Sequence, residues 1–416
     1  VTDLRANFAG TVVSVAVAPG DVVPDGSVLV VLESMKMEHL VEAATSCRID
    51  SVEVGPGASV QTGDVLLRYE PTTAAAPLNP VSESRPRRDE VRPELAELQA
   101  RVAQTLDAGR PEATERRHAA GRRTARENIE DLCDAGSFEE YGGLVVAAQR
   151  ARRSAEDLAA NTPADGLIAG IGRVNGHLFA GERSRCAVLS YDYSVLAGTQ
   201  GQMNHRKKDR LFALADRLHL PVVLFAEGGG GRPGDTDMAV VTGLDTEAFA
   251  LFGALSGKVP LVGVVSGRCF AGNAALLGCC HVIIATPDAN IGMGGPAMIE
   301  GGGLGVFAPE DVGPASVQVA NGVVDVLAAD EKEAVEAARR YLSYFQGDVT
   351  GWMAPDQTLL RDVVPPDRRR VYDVRKAIDG LADEGSVLEL RPSFVPGMVT
   401  SLIRLEGRPV GVIANN

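Results

Sequence analysis

A repeat constrains this chain more than any other feature of its 416 residues. The pattern V-x-V-x-P-G-x-x-V-x-x-G-x-V-L runs from Val15 to Leu29 and returns from Val52 to Leu66. Its valines alternate with small or polar residues as half-buried strands do, and Pro19-Gly20, Gly26, Pro56-Gly57 and Gly63 supply turns. One copy buries too little apolar surface to stand alone, so the two copies must close on each other about a pseudo-two-fold axis. The expected product over residues 1–70 is a flattened all-β sandwich of short strands.

Residues 71–92 are rich in Pro, Ala, Ser and charge and hold no aromatic residue, which is the composition of a flexible tether. Beyond Pro93 a helical pattern (Leu95, Leu98, Val102, Leu106) leads into G-R-R-T-A-R-E-N-I-E-D-L, a charge run that reads as a solvated helix face. Apolar runs at Val222 to Ala226, Leu261 to Val265 and Val282 to Ala285 then alternate with helical stretches at His205 to Leu218 and Thr242 to Ser256. A further helix is expected at Asp330 to Phe345. Such alternation predicts an α/β layer architecture with buried parallel strands. After Gly347, D-V-R-K-A-I-D-G-L-A-D-E-G-S-V-L-E-L echoes the earlier A-R-E-N-I-E-D-L-C-D-A-G-S-F-E-E, so a duplicated domain is expected. The boundaries read as 1–70, 71–92, 93–347 and 348–416. With Val1 first and Asn416 closing an alternating apolar stretch, the chain reads as truncated at both ends.

Charge narrows the partners. With 41 basic and 55 acidic residues the net charge is -14, which argues against nucleic acid and against an anionic membrane surface. Small molecules and proteins remain. The six cysteines form no C-x-x-C pair, so neither a disulfide framework nor a structural metal site is expected. Such cysteine usage suits a reducing compartment, so a cytoplasmic location is expected; no apolar run approaches the roughly 18 residues of a membrane span, and no export signal is visible.

Between the two repeats lies E-S-M-K-M-E-H, Glu33 to His39, where the pseudo-symmetry places a hairpin. The chain has six lysines against 35 arginines, and Lys36 stands at that turn between Met35 and Met37. Residues 1–70 resemble the biotinyl carrier domain of biotin-dependent carboxylases, in which M-K-M is the attachment motif. The resemblance implies biotin in amide linkage to Lys36, made by a separate biotin protein ligase. The related lipoyl domains usually have Asp before and Ala after their lysine, so Met35 and Met37 favour biotin. A-N-F-A-G at Ala6 to Gly10 departs from the A-P-M-x-G usual in the family.

Two glycine-rich junctions follow buried strands: F-A-E-G-G-G-G-R-P-G-D at Phe225 to Asp235, and S-G-R-C-F-A-G-N-A-A-L-L-G at Ser266 to Gly278. Small residues where a strand ends and a helix can begin leave backbone N–H groups open to an anion. No Lys follows either loop as a phosphate cradle requires, and in I-G-M-G-G-P-A-M-I-E-G-G-G-L-G (Ile291 to Gly305) Pro296 and the later glycines are expected to prevent the helix of a dinucleotide fold. A thioester oxyanion is left. Removing the proton beside a thioester carbonyl puts negative charge on its oxygen, and preorganised N–H donors stabilise that charge.

These junctions, with T-A-R-E-N-I-E-D-L-C-D-A-G-S-F-E-E, Y-D-Y-S-V-L-A-G-T-Q-G, N-G-V-V-D and G-R-P-V-G-V-I-A-N, resemble the carboxyltransferase domains of acyl-CoA carboxylases in the crotonase-like superfamily. The resemblance implies carboxyl transfer from carboxybiotin to the α-carbon of an acyl-CoA. It puts the oxyanion donors at Gly229 and Gly230 and at Ala271 and Gly272, with a shift of one residue left open, and places Tyr191 to Gly201 and Ile291 to Gly305 along the acyl-CoA site. It needs no protein base: Glu227, Asp235 and Asp237 read as loop supports, and His205 and Lys207 as a solvated helix start rather than CoA contacts. It implies a biotin carboxylase domain or subunit and a homo-oligomer formed through the carboxyltransferase halves. The order of carrier and transferase on one chain most resembles long-chain acyl-CoA carboxylases. A biotin-dependent decarboxylase and a non-catalytic carrier or assembly scaffold remain open at this point.

Overall fold

The computed structural model describes residues 1–73, 91–232, 234–237, 246–367 and 369–416. Two compact units form, Val1–Arg92 and Pro93–Asn416. Most of the tether expected at 71–92 and the start of the helix expected at 242–256 lie outside the described residues.

The first unit holds β1 (Thr2–Arg5), β2 (Gly10–Val15), β3 (Val22–Val23), β4 (Val28–Ser34), β5 (Met37–Glu42), β6 (Cys47–Val52), β7 (Ser59–Val60) and β8 (Val65–Pro71). They form two four-stranded sheets, β1-β8-β6-β3 and β5-β4-β2-β7. Exchanging β1 with β5, β2 with β6, β3 with β7 and β4 with β8 turns one sheet into the other, which is the pseudo-two-fold that the repeat demands. Equivalent repeat positions do equivalent work. Val23 and Val60, and Leu29 and Leu66, are all buried in the shared core. Gly20 and Gly57 (φ 95° and 87°) and Gly26 and Gly63 (φ 78° and 94°) turn the chain in the left-handed region that favours glycine.

The second unit opens with α1 (Pro93–Thr105), α2 (Pro111–Ala119), α3 (Ala125–Leu132), β9 (Glu139–Glu140), α4 (Ala155–Asn161), β10 (Leu167–Arg173) and β11 (Arg185–Tyr191). It continues through α5 (Gln202–Leu218), β12 (Val222–Phe225), α6 (Ala248–Ala254), β13 (Leu261–Val265), β14 (Arg268–Phe270), α7 (Gly272–Gly278), β15 (Val282–Ala285) and β16 (Asn290–Gly292). Then come α8 (Pro296–Gly301), α9 (Ala315–Ala320), β17 (Val326–Leu327) and α10 (Glu331–Gln346).

A seven-stranded sheet, β17-β15-β13-β12-β11-β10-β9, is parallel from β17 to β11 and antiparallel at its last two pairings. Successive residues of one strand face opposite layers. Leu224 and Leu261 pack with Phe212 and Phe252 of α5 and α6, whereas Val223 and Val262 pack with Ile129 and Leu342 of α3 and α10. A strand buried on both faces has no polar face to show, and that is why these segments are continuous apolar runs.

The last segment holds α11 (Arg375–Leu381), β18 (Leu388–Leu390), β19 (Met398–Leu405) and β20 (Arg408–Asn415). It repeats α3, β9, β10 and β11 in order and in detail. Ser137 Oγ accepts from Arg173 N–H at 3.0 Å, and Ser386 Oγ accepts from Arg404 N–H at 3.0 Å. Arg126 pairs with Glu140 at 2.9 Å and Arg375 with Glu389 at 2.6 Å. Gly136 and Gly385 both have φ 69°.

The Arg-rich run is not the solvated face expected of it. Thr124 caps α3 reciprocally with Glu127, Arg126 is largely covered in its ion pair, and Arg123 N–H donates to Glu331 at 2.7 Å. Pro296 does not prevent a helix either. It occupies the first turn of α8, where a missing N–H costs nothing, and the glycines stop that helix at Gly301.

Candidate active site

Antiparallel β4 and β5 pair Ser34 with Met37, so the hairpin between them has a two-residue loop, Met35-Lys36. Both residues have positive φ, 54° and 65°, which makes a primed turn of the kind that matches strand twist. Asn-Gly is the usual solution because left-handed residues with a Cβ cost about 1–2 kcal/mol each. The two-residue loop leaves the Lys36 side chain exposed at the tip. Met35 is 94% exposed, so it is not a core methionine. Phe8, from the departing A-N-F-A-G segment, sets its ring 4.6 Å from that of His39 in β5.

In the second unit the two glycine junctions meet. Gly228 N–H donates to Arg268 O at 2.7 Å and Phe270 N–H donates to Gly228 O at 2.9 Å, a parallel bridge joining the loop after β12 to β14. The junctions differ from expectation in two ways. The loop after β12 runs through residues 226–237 without starting a helix among the described residues, and β14 intervenes between β13 and α7. Three of the four expected donors are also already engaged. Gly229 N–H donates to Ala197 O at 3.0 Å, Gly230 N–H to Asn273 Oδ1 at 3.1 Å, and Ala271 N–H to Gly292 O at 3.0 Å. Among the described residues no acceptor takes the N–H of Gly272 or of Gly231. The open donors are therefore one from each junction, with the first shifted by one residue.

The carboxylates nearby are held by partners. Glu227 takes Arg117 at 2.8 and 3.1 Å, and Asp235 accepts the Gln202 N–H and the Gln149 side chain. Asp165 is fully buried against the Arg232 guanidinium. A cavity of about 740 Å³ opens beside Glu227 and Gly267; its wall carries Arg116, Arg117, Arg122 and Arg268 and also Asp288 and Glu310, with Arg117 paired to Glu227, Arg122 to Asp288 and Arg268 to Glu310.

The helix start at α5 is not solvated as expected. Lys207 Nζ donates to the carbonyl oxygens of Ala164 and Leu167, and burial pushes its amine down to about 8. Lys208 is wholly buried. His205 lies beside Phe249, and burial, with Lys208 and Arg232 adding to it, lowers it to about 3, so it is neutral near pH 7.

The family model of the carboxyl transferase domain matches residues 116–416, and that of biotin-requiring enzymes matches residues 2–68. The chain belongs to the carboxyl transferase domain family. The chain is 29% identical over 331 residues to the 12S subunit of methylmalonyl-CoA carboxyltransferase from Propionibacterium freudenreichii subsp. shermanii, covering 76% of the chain and 60% of the relative. It is 30% identical over 342 residues to the propionyl-CoA carboxylase beta chain of Saccharopolyspora erythraea, covering 77% and 60%. A solved single-chain, multi-domain long-chain acyl-CoA carboxylase superposes with a TM-score of 0.76 at 57% identity, over 100% of this chain and 39% of that one. The chain thus spans about three fifths of the length of these curated relatives.

Gln200 fell within the segment expected along the acyl-CoA site and Gly231 within the one-residue shift left open, whereas sequence reasoning gave no role to Asn273, Lys208 or Arg117. A signal existed for two of them. Asn273 is a lone amide in the otherwise apolar G-N-A-A-L-L-G helix, and Lys208 stands on the buried stripe of α5 with Leu211, Phe212 and Ala215.

Proposed function

We propose that this chain is the biotin carrier and the acyl-CoA side of a carboxyl transfer to the α-carbon of an acyl-CoA. The observation that carries the reading is the meeting of two glycine junctions that leave one N–H open on each, at Gly231 and Gly272. Two such donors suit an oxygen that gains charge as the α-proton leaves, and they need no reorganisation as that charge develops. The carboxylates at the junctions are committed to Arg117, Arg232 and backbone N–H groups, so this chain's part in the chemistry is to bind, orient and stabilise. Its cavity of about 740 Å³ has the size for part of a CoA ester, and the arginines in its wall are paired with carboxylates.

Lys36 fits biotin. Its side chain is exposed on a tight turn, and no hydrogen bond or ion pair engages its amine among the described residues. When bound, biotin carries the carboxyl group between sites. Lys36 supplies the tether and its two-residue turn holds the attachment point clear of the sandwich. Residues 1–70 act as the carrier, 71–92 as its tether, 93–347 as the first transferase half and 348–416 as the start of a second. The matching Ser137–Arg173 and Ser386–Arg404 contacts support the last division.

The remaining parts are supplied by others: a ligase that attaches biotin, a biotin carboxylase that charges it at the expense of ATP, and further copies of the transferase. The whole would then be a ligase forming carbon–carbon bonds. No helix among the described residues is long and apolar enough to cross a membrane, in keeping with a cytoplasmic enzyme. The test is transfer of labelled carboxyl from the biotinylated, intact protein to a panel of acyl-CoAs. Transfer to at least one ester is expected. Biotinylation without transfer to any of them would leave a carrier or scaffold, and net loss of CO2 from carboxylated esters would make it a decarboxylase.

A further inference from the structure

Lys208 is the most anomalous side chain in the second unit. It is fully buried, and no carboxylate forms an ion pair with it among the described residues. A methionine would fill similar volume without removing an amine from water, a cost of several kcal/mol for a charged group in real interiors. What the amine does is donate. Its Nζ reaches Gln200 Oε1 at 2.9 Å and the Tyr191 hydroxyl at 3.0 Å, and an amino group has hydrogens for both whether or not it carries the extra proton.

That donation sets the direction of everything beyond it. With Gln200 Oε1 held as acceptor, Gln200 Nε2 is the atom that faces Asn273, and it donates to Asn273 Oδ1 at 3.2 Å. Asn273 Oδ1 is thereby fixed as the acceptor that takes Gly230 N–H at 3.1 Å, while Asn273 Nδ2 donates to Gly198 O at 3.3 Å. Gln200 also grips the same loop through its main chain, donating to Gly230 O at 2.7 Å and accepting Arg232 N–H at 3.0 Å. Gly231 is suspended between those two bonds. On the other junction, a Cβ at Gly272 would meet the Gln200 amide at 3.1 Å, so the same side chain packs against the second open donor.

We propose that Lys208 is a positioning residue for the carboxyl transfer, acting through Gln200 and Asn273 to hold the loop at Gly230–Gly231 against the start of α7. The inference rests on the function proposed above. Neither the Lys208 nor the Gln200 side chain is itself an open donor; both fix where those donors stand. A misplacement of about 1 Å in such a constellation costs on the order of 10²-fold in rate, so loss of the chain should be felt in turnover rather than in binding.

The experiment uses the intact biotinylated protein and three variants: Lys208→Met, Gln200→Leu and both together. Lys208→Met should lower kcat by about tenfold or more with the KM for the acyl-CoA held within about threefold. The double variant should be no worse than either single, because each breaks the same chain. Should Lys208→Met fail to fold, Gln200→Leu interrupts the chain from its other end. Amide hydrogen exchange gives a readout independent of activity: the Gly230 and Arg232 amides should exchange about tenfold faster or more in each single variant. The Gly228 amide, bonded to Arg268 O, should stay slow. Leu342→Ala, on the opposite face of the sheet, should lower stability without either effect. Unchanged kcat, or unchanged exchange at Gly230 and Arg232, in a folded variant overturns the proposal. A wild-type protein that transfers carboxyl to no acyl-CoA overturns the function reading instead, and exchange still decides whether Lys208 holds the loop.

Discussion

A Cβ added to Gly230 would lie 2.7 Å from the Cβ of Ala271, so the two junctions touch where their side chains are smallest. Gly230 also sits at φ 88°, where an L side chain is strained. Gly230→Ala should therefore destabilise the second unit by about 1–3 kcal/mol, since the contact must open and the backbone must pay. Gly253→Ala, inside α6 with open space around it, should instead gain about 0.5–1 kcal/mol. Urea denaturation of the two variants checks the contrast, and equal effects would remove the steric argument.

The open donor at Gly231 makes a separate claim. Gly231→Pro deletes that N–H while leaving the Asn273 bond to Gly230 available. Carboxyl transfer should fall by about 10²-fold or more, in line with the loss of one oxyanion donor. Steady-state kinetics on an acyl-CoA the wild type accepts would show it, and wild-type turnover in a folded variant would exclude this N–H from the reaction.

Lys36→Arg keeps the charge on the exposed hairpin and removes the nucleophilic amine. Avidin blotting after co-expression with a biotin ligase should detect no label. The denaturation midpoint of the carrier should hardly move, because an exposed substitution of this kind typically changes stability by less than about 0.5 kcal/mol. Mass spectrometry showing a biotin adduct on any other residue would displace the assignment.

Arg117 and Glu227 join α2 to the first junction through two hydrogen bonds, with side chains only 13% and 14% exposed. Breaking one side leaves a carboxylate desolvated and unpaired, so Arg117→Met should cost about 3–5 kcal/mol. Replacing both ends by methionine should recover part of that loss. A double-mutant cycle from chemical denaturation measures the recovery, and strict additivity would mean the pair is not coupled.

The first unit and the sheet of the second were legible because their determinants are local and periodic. Gly20 and Gly57 each follow a proline and mark a turn, and Val222 to Ala226, short and bounded by Pro and glycines, reads as a strand with apolar layers on both sides. The glycine junctions were legible for the same reason, as places where side chains are missing. Which N–H groups remain open was not, because Ala197 and Gly292 claim the amides of Gly229 and Ala271 from elsewhere in the chain. Lys207 was misread, and Lys208 passed over, for a related cause. A lysine is priced as a surface residue from sequence alone, and only the fold shows that carbonyls at Ala164 and Leu167, or amides and a hydroxyl, wait for it.

Lys208 also gives the fold a pH signature. Burial is the main cause pushing its amine down to about 7 from an ordinary 10.5, with Asp209 and Asp165 opposing the shift. Tyr191 faces it as a neutral hydroxyl that burial keeps protonated, and His205 on the same helix is neutral in this range. Below pH 7 both folded and unfolded chains hold the proton and the cost of burying it is fully present. Between about 7 and 10.5 the unfolded chain still binds a proton that the folded chain has released, so stability from this residue rises with pH. Lys207 shifts in the same direction, so the wild-type curve alone does not isolate Lys208. The difference in unfolding free energy between wild type and Lys208→Met does, because Lys207 is common to both. That difference should move in favour of the wild type as pH climbs from 7 towards 10, and a flat difference would show that the Lys208 amine keeps an ordinary proton affinity in the folded protein.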